Sequence, residues 1–308
     1  MLSKYDLGVL SSTKTFNTGS VQTNILLLTT RGKFVLRCYK GRTKASIMSE
    51  IGVTNYLKKH GFPTPGVIEN KKRGSVSIYD NKLYVILEFA EGEHIKKPNQ
   101  KQKNQLIRKA AEMQNILAGY KPSVIKQRWN YSARLCKKLA QREAEKINTP
   151  EAKEKLRWLD SELLKLQLPR SLPKGICHCD FHFSNILFKN GKFNALLDFD
   201  DANYTYKIYD LICLIEPFKF SWNNWNKYKI TDRVFDFKES RKVVKQYIKY
   251  MPLTNLEKLH LYDVYKLSIL IDCVWYFYRG GPEDFYEKRK INYLNNLGRE
   301  RFYKEIFE

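Results

Sequence analysis

Carboxylates are scarce in this sequence of 308 residues: 32 Asp and Glu stand against 55 Lys and Arg, leaving a formal net charge of +23. So basic a balance raises nucleic-acid binding, because phosphate contacts need Lys and Arg. The basic residues are spread along the chain, however, and no recognisable nucleic-acid motif accompanies them. Long hydrophobic runs are lacking too. Met1-Leu2-Ser3-Lys4-Tyr5-Asp6 has no apolar core of signal-peptide length. The most apolar long window, Leu267 to Tyr278, is short and interrupted by Asp272, so it reads as a buried helix and no membrane span is expected. Cysteine is sparse: the six at 38, 136, 177, 179, 213 and 273 do not make a small disulfide framework in a chain of this length. With no export signal, reduced thiols and a cytoplasmic location are expected. Repeats and low-complexity tracts are missing. What is present, 43% hydrophobic and 14% aromatic residues, is the composition of a globular chain of one or two domains.

Along the chain, an apolar and β-branched run from Val21 to about Thr30, a turn at Arg31-Gly32 and a second run from Lys33 to Lys40 predict two paired strands. Residues 44–60 predict a helix, with Ile47, Ile51, Thr54 and Leu57 at helical spacing, closed by Gly61. Two more strands, Ser75–Tyr79 and Lys82–Phe89, are joined at Asp80-Asn81. A connector begins at Glu91-Gly92, and beyond it the pattern turns helical: Leu106, Ala110, Met113 and Leu117 share a face, and 129–166 and 255–278 read as amphipathic or buried helices. The expected plan is α+β, with a β-rich small lobe over residues 1–91 and a mainly helical large lobe over 92–308.

Against the basic background, Cys177 to Asp210 reverses the charge. It holds five aspartates (180, 198, 200, 201 and 210), three lysines (189, 192 and 207) and two of the five histidines, which suggests a cation site. Within it Asn190-Gly191 is a strong hairpin signal, because a type I′ turn needs positive φ at both central residues. With Lys189 paired to Lys192, counting back sets Asn185 opposite Leu196, with Asp198 roughly 7 Å further along the strand. Asp180 reaches the same place from the preceding loop. Oxygen donors of this kind suit Mg²⁺, which takes few protein ligands and completes its shell with water and phosphate oxygens. Asp201 points away if the strand continues. The competing reading is a zinc knuckle of Cys177, His178, Cys179 and His182, but structural zinc sites collect spaced ligand pairs from two segments.

His178-Cys179-Asp180-x4-Asn185, followed after a hairpin by Asp198, resembles the catalytic loop and metal aspartate of kinase-like phosphotransferases. More narrowly it is similar to the aminoglycoside phosphotransferase/choline kinase superfamily, and within that to the branch holding type II homoserine kinases. Tyr5-Asp6-Leu7-Gly8, Phe34-Val35-Leu36-Arg37 and Leu172 to His178 carry the narrower likeness. The resemblance implies a bilobal protein-kinase-like fold and an ATP- and Mg²⁺-dependent transfer of phosphate to a hydroxyl of a small molecule. Homoserine-like amino alcohols come first as acceptors, aminoglycosides second, choline or another amino alcohol third. It implies Asp180 as the residue that takes or orients the hydroxyl proton, with His178 bracing the loop and Asp210 supporting it. Asn185 and Asp198 would hold the metal, with Asp200 as helper. Cys179 stands where the family usually has Gly, so the backbone there must tolerate a Cβ.

For the nucleotide, the resemblance implies a strand cation paired to a helix glutamate. Arg37, with Lys40 as the alternative, and Glu50 fill these positions; a plain surface salt bridge between Glu50 and Arg37 is the other reading. Ser20, in Asn17-Thr18-Gly19-Ser20, falls where a phosphate-covering loop belongs, though the full glycine set is missing. Glu88 and Ala90 look like a hinge whose carbonyl and N–H bond adenine. Trp222, Trp225, Asp272, Trp275, Tyr276 and Tyr278 are either the lining of an acceptor pocket or an aromatic core stripe. A nucleotide-binding pseudokinase or regulatory protein, and a basic nucleic-acid-associated protein, are the readings from other classes.

Overall fold

The structure is a computed structural model that describes residues 2–16, 22–121, 130–215, 217–228 and 234–308. In chain order its strands and helices begin with β1 (Leu10–Thr15), β2 (Thr23–Thr29), β3 (Gly32–Cys38), α1 (Lys44–Lys59), β4 (Val67–Ile68), β5 (Ser77–Tyr79) and β6 (Lys82–Glu88). There follow α2 (Gln100–Leu117), α3 (Ala133–Ile147), α4 (Pro150–Leu164), β7 (Lys174–Cys177), β8 (Ile186–Lys189), β9 (Lys192–Leu196) and β10 (Asn203–Tyr206). The last are α5 (Tyr209–Leu214), α6 (Phe237–Ile248), α7 (Asn255–Trp275), α8 (Tyr286–Leu297) and α9 (Arg299–Phe307). The fold is therefore α+β, a β-rich N-terminal region followed by a mainly helical C-terminal one. None of the described helices is long and apolar enough to cross a membrane.

The described residues divide into two compact units, one within 1–106, 115–128 and 182–202, the other within 107–114, 129–181 and 203–308. In the first, an antiparallel sheet runs in the order β1-β2-β3-β6-β4, with β5 also on β6. Alternation along β3 splits its side chains between the two faces. Phe34, Leu36 and Cys38 join Tyr5, Leu7, Leu27, Tyr84 and Ile86 in one cluster. On the other face Val85 packs with Ile47 and Ile51 of α1 and with Tyr39. Arg37 lies directly across from Val85 in the ladder and so shares that face with α1. The helix starts where Thr43 caps the N–H of Ser46 at 3.1 Å and stops before Gly61, whose φ of +76° favours glycine. Strand β1 is fully exposed and its Leu-Ser-Ser-Thr-Lys-Thr has no apolar alternation, so no sequence signal marks it.

The β8–β9 hairpin belongs to this first unit because the connector after β6 laces onto it. Glu93 and Phe188 exchange both backbone hydrogen bonds at 2.9 Å. Gly92 makes that approach possible: at φ +134°, a Cβ there would stand 2.8 Å from the Phe188 carbonyl oxygen. Gln105 adds bonds to Gly191 and Phe193, and Asn194 donates to the Glu91 carbonyl.

In the second unit β7 and β10 form an antiparallel ribbon that sets Cys177 across from Asn203. Its core is built on α7, which starts in a capping box of Thr254 and Glu257 and buries Leu261, Val264, Leu267, Leu270 and Val274. The helix was expected to reach residue 278; it ends at Trp275, with Tyr276 as its cap and Gly280 in a left-handed conformation soon after. All six cysteines are free thiols.

Candidate active site

The polar centre of the first unit is Arg37. Its side chain is buried, and Nη2 donates to Asp198 Oδ1 at 2.7 Å. Glu50, from α1, lies on the same face and accepts from the Tyr39 hydroxyl at 3.1 Å, while the guanidinium stands over the Tyr39 ring. Burial pulls the Arg37 guanidinium down, but Glu50 and Asp198 outweigh it and hold its pKa above the ordinary arginine value. Its Nε is buried with no hydrogen-bond partner among the described residues. Position 37 thus gathers a helix glutamate and a loop aspartate around one cation. The exposed surface salt bridge does not describe it, because the Arg37 and Glu50 residues are both more than nine-tenths buried.

The hairpin explains how Asp198 arrives there, with one correction to the expected register. Lys189 does pair with Lys192 around Asn190 and Gly191, both at positive φ. Further back the ladder shifts: Phe188 pairs with Phe193, but Leu187 pairs with Ala195, so Asn194 is an extra residue. Leu196 therefore faces Ile186, not Asn185. The Asn185 carbonyl instead accepts from the N–H of Leu197 at 2.7 Å, one residue from Asp198. The strand does not continue either. Asp198 turns the chain with φ +59° and ψ +66°, and Phe199–Asp201 form a 3-10 turn. With no strand at 199–201, strand alternation does not turn Asp201 away from Asp198 and Asp200.

Two residues that sequence reading missed hold this turn. Arg42 forms an ion pair with Asp200 at 2.9 Å and donates to its carbonyl at 3.2 Å; both side chains are nearly buried. Gln22 accepts from the Lys40 N–H at 2.7 Å and donates to Asp200 Oδ2 at 3.3 Å. Neither lies in a local motif; the only sequence signal was that buried acids in so basic a chain need cations. Asn185, Asp198 and Asp200 offer oxygen donors only, the chemistry of a hard divalent cation. Among the described residues no three His, Cys, Asp or Glu side chains form a metal-binding group, and the two aspartates lie on guanidinium groups.

The second unit holds His178 to Asp180, the first part of the stretch expected to form the catalytic loop. His178 is fully buried, and its Nδ1 accepts from the Asp180 N–H at 3.3 Å. Asp210, at the start of α5, is also fully buried and receives three N–H donors: the His178 backbone at 3.2 Å, the Cys179 backbone at 2.9 Å and Gln114 Nε2 at 2.6 Å. Burial pushes the Asp210 carboxyl up from its ordinary value, while the His178 ring and these donors pull it back. Cys179 takes φ +66°, the left-handed region that explains a glycine preference. Its Sγ accepts from Asn203 at 3.3 Å, and its carbonyl accepts from the Cys213 thiol at 3.4 Å. The Asp180 residue is exposed. The soft side chains at the head of the stretch are engaged separately, Cys177 with the Tyr206 carbonyl and His182 with Ser184.

Of the remaining expected site residues, Glu88 ends β6, and its carboxylate takes Lys58 and the Gly66 N–H, the latter at 3.0 Å. Ala90 follows it in irregular backbone, and Ser20 lies outside the described residues. Trp222, Trp275, Tyr276 and Tyr278 are exposed, so they are not a core stripe.

The sequence model described as "Phosphotransferase enzyme family" matches residues 12–236. A homoserine kinase of Caulobacter sp. (strain K31) is 26% identical over 268 residues, 83% of this chain and 78% of its own. One of Sinorhizobium fredii (strain NBRC 101917 / NGR234) is 23% identical over 256 residues, 82% of this chain and 77% of its own. Among solved structures, a microcompartment-associated aminopropanol kinase is similar with a TM-score of 0.66 at 18% identity, over 98% of this chain and 95% of its own. An amicoumacin kinase in complex with AMP-PNP, Ca²⁺ and Ami is similar with a TM-score of 0.65 at 15% identity, over 97% and 90%. At these identities the structural likeness is one of fold.

Proposed function

The chain belongs to the phosphotransferase enzyme family, as a small-molecule kinase, and we propose that it moves the γ-phosphoryl group of ATP, with Mg²⁺, to the hydroxyl of a homoserine-like amino alcohol. The observation that carries this reading is the buried Arg37 held between Glu50 and Asp198. A kinase needs such a set, because phosphoryl transfer through a loose transition state asks mainly for positioning and charge neutralisation.

In the proposed chemistry the bond between the γ-phosphorus and its bridging oxygen breaks while the acceptor oxygen bonds to phosphorus. Asp180 takes or orients the hydroxyl proton. His178 and Asp210 act through the backbone: they hold the N–H groups of residues 178–180 and so fix where that carboxylate stands. Arg37 contacts the α- and β-phosphates, and its buried, unspent Nε supports this assignment over Lys40. Asn185 and Asp198 hold the metal, with Asp200 beside them. Bound Mg²⁺ supplies charge neutralisation on the phosphate oxygens. The Glu88 carbonyl and the Ala90 N–H take the adenine, and Ser20 belongs to the covering loop. The lobes divide near residue 92, and the enzyme works in the cytoplasm.

The homoserine kinases among its relatives support the acceptor class, with aminoglycosides as the second choice. The test is ADP release from Mg-ATP over a panel of homoserine, aminopropanols, choline and aminoglycosides, with the phosphorylated product identified by mass spectrometry. The reading expects homoserine or a close amino alcohol to lead. Turnover confined to aminoglycosides would overturn the acceptor, and no transfer to any hydroxyl would overturn the activity.

A further inference from the structure

One cation of the helical unit has no task in this chemistry. Arg279 lies four residues past the end of α7, and its guanidinium carbon stands 3.7 Å from the centroid of the Tyr276 ring, 4.7 Å from Trp222 and 5.7 Å from Tyr278. The backbone beneath it is fixed: its N–H donates to the Tyr276 carbonyl at 2.8 Å, and its own carbonyl accepts from Lys155 Nζ at 2.6 Å. Lys155 is itself 2% exposed and also holds the Phe277 carbonyl at 2.9 Å. Other arginines of this unit are committed to acids: Arg289 to Asp284, Arg299 to Asp263 and Arg241 to Glu305. Arg279 makes no ion pair among the described residues. Buried Glu287 lies within its electrostatic reach but not at ion-pair distance.

Stacking occupies the flat face of a guanidinium and leaves its N–H edge available. The rings that hold it are solvent-accessible, Trp222 at 37%, Tyr276 at 41% and Tyr278 at 70%, so a small solute can reach that edge. Arg279 and Asp180 belong to the same compact unit. The Cys213 thiol donates to the Cys179 carbonyl and lies within electrostatic range of both Asp180 and Asp272, in the last turn of α7. Aromatic clusters of this composition otherwise receive ammonium head groups. Here the chain's own cation fills the cluster, so a cationic alcohol has no seat on it. A planar, aromatic-stacked fork of N–H donors matches a carboxylate.

We propose that Arg279 anchors the carboxylate of the acceptor, and that the acceptor is a hydroxy amino acid rather than a carboxylate-free amino alcohol or aminoglycoside. The proposal rests on the kinase reading for its reaction but not for its binding site. Holding the guanidinium in advance removes much of the ordering cost of binding.

The test compares the full chain with R279Q and R279K, using homoserine and homoserinol, which carries a hydroxymethyl group in place of the carboxylate. In steady-state transfer, R279Q should lose roughly 100-fold in kcat/KM for homoserine, mainly through KM, and no more than a few-fold for homoserinol. R279K should recover part of the loss. Equal losses on both acceptors would mark Arg279 as merely structural and overturn the proposal, as would an unchanged homoserine KM. A second measurement needs no transfer: quenching of tryptophan fluorescence by homoserine, with Trp222 beside the guanidinium. If no acceptor is phosphorylated yet homoserine quenches in an Arg279-dependent way, the kinase reading falls and the carboxylate site stands. If the chain phosphorylates carboxylate-free alcohols and ignores homoserine, the site falls and the kinase reading stands.

Discussion

Asp210→Asn replaces one oxygen of a buried carboxylate by an N–H₂ group in a place where every identified partner is a donor. Oδ2 receives Gln114 and the His178 N–H, and Oδ1 receives the Cys179 N–H. The amide can keep its oxygen toward the pair, which leaves its nitrogen against the Cys179 N–H at a site with no access to water. Gln114 cannot turn to help, because the same Nε2 also donates to the Ile176 carbonyl at 3.1 Å. The loss is one charge-assisted hydrogen bond and two unsatisfied buried N–H groups, about 3–5 kcal/mol. Removing a charge that burial already disfavours returns part of this, leaving a net cost of about 2–4 kcal/mol. In a chain of this size that is a fall in Tm of roughly 3–6 °C. The disturbed N–H groups carry the backbone leading to Asp180, so kcat should fall roughly 100-fold, with nucleotide affinity little changed. Differential scanning calorimetry and steady-state transfer read the two effects. A variant with wild-type Tm and kcat would refute the claim that Asp210 builds the loop.

Arg42→Gln removes one partner of a nearly buried ion pair and should destabilise the chain by about 3 kcal/mol in urea unfolding, with Arg42→Lys milder; equal stability for all three would show that the pair contributes nothing. Glu162 is almost fully buried and holds the buried Lys266 at 3.1 Å. Burial raises its pKa, but Lys165, Asn295 and Lys266 outweigh it and set it below the ordinary 4.5. A lowered folded-state value means that this stability is present above pH 4.5 and is lost as pH falls through the lowered value. Glu162→Gln should therefore be less stable at pH 7, by about 3 kcal/mol, and flatter in its acid-side stability profile; parallel profiles would contradict the linkage.

The parts of the site that were legible in the sequence are local or periodic. The Asn190-Gly191 turn follows from two residues that tolerate positive φ, and the shared face of Arg37 and α1 follows from strand alternation. Glu50 is the first acidic residue after Asp6 in a chain poor in acids. Illegible features depend on long-range or unpatterned contacts. At the bulge the Asn194 side chain reaches the Glu91 carbonyl, and no turn rule foresees that partner. Arg42 and Gln22 meet Asp200 across 158 and 178 residues of sequence. Strand β1 pairs through its backbone alone. Cys179 shows the converse: the family likeness marked a glycine position, and the left-handed φ there supplies the physical reason.

The central claim is that Asp180 does the proton chemistry while Arg37, Asn185 and Asp198 hold the nucleotide and its metal. Asp180→Ala tests it most directly, with nucleotide binding followed by calorimetry and phosphoryl transfer by ADP release under the same conditions. The account predicts nucleotide affinity within about three-fold of the parent chain and transfer reduced by at least roughly 100-fold. Transfer at the parent rate would contradict it.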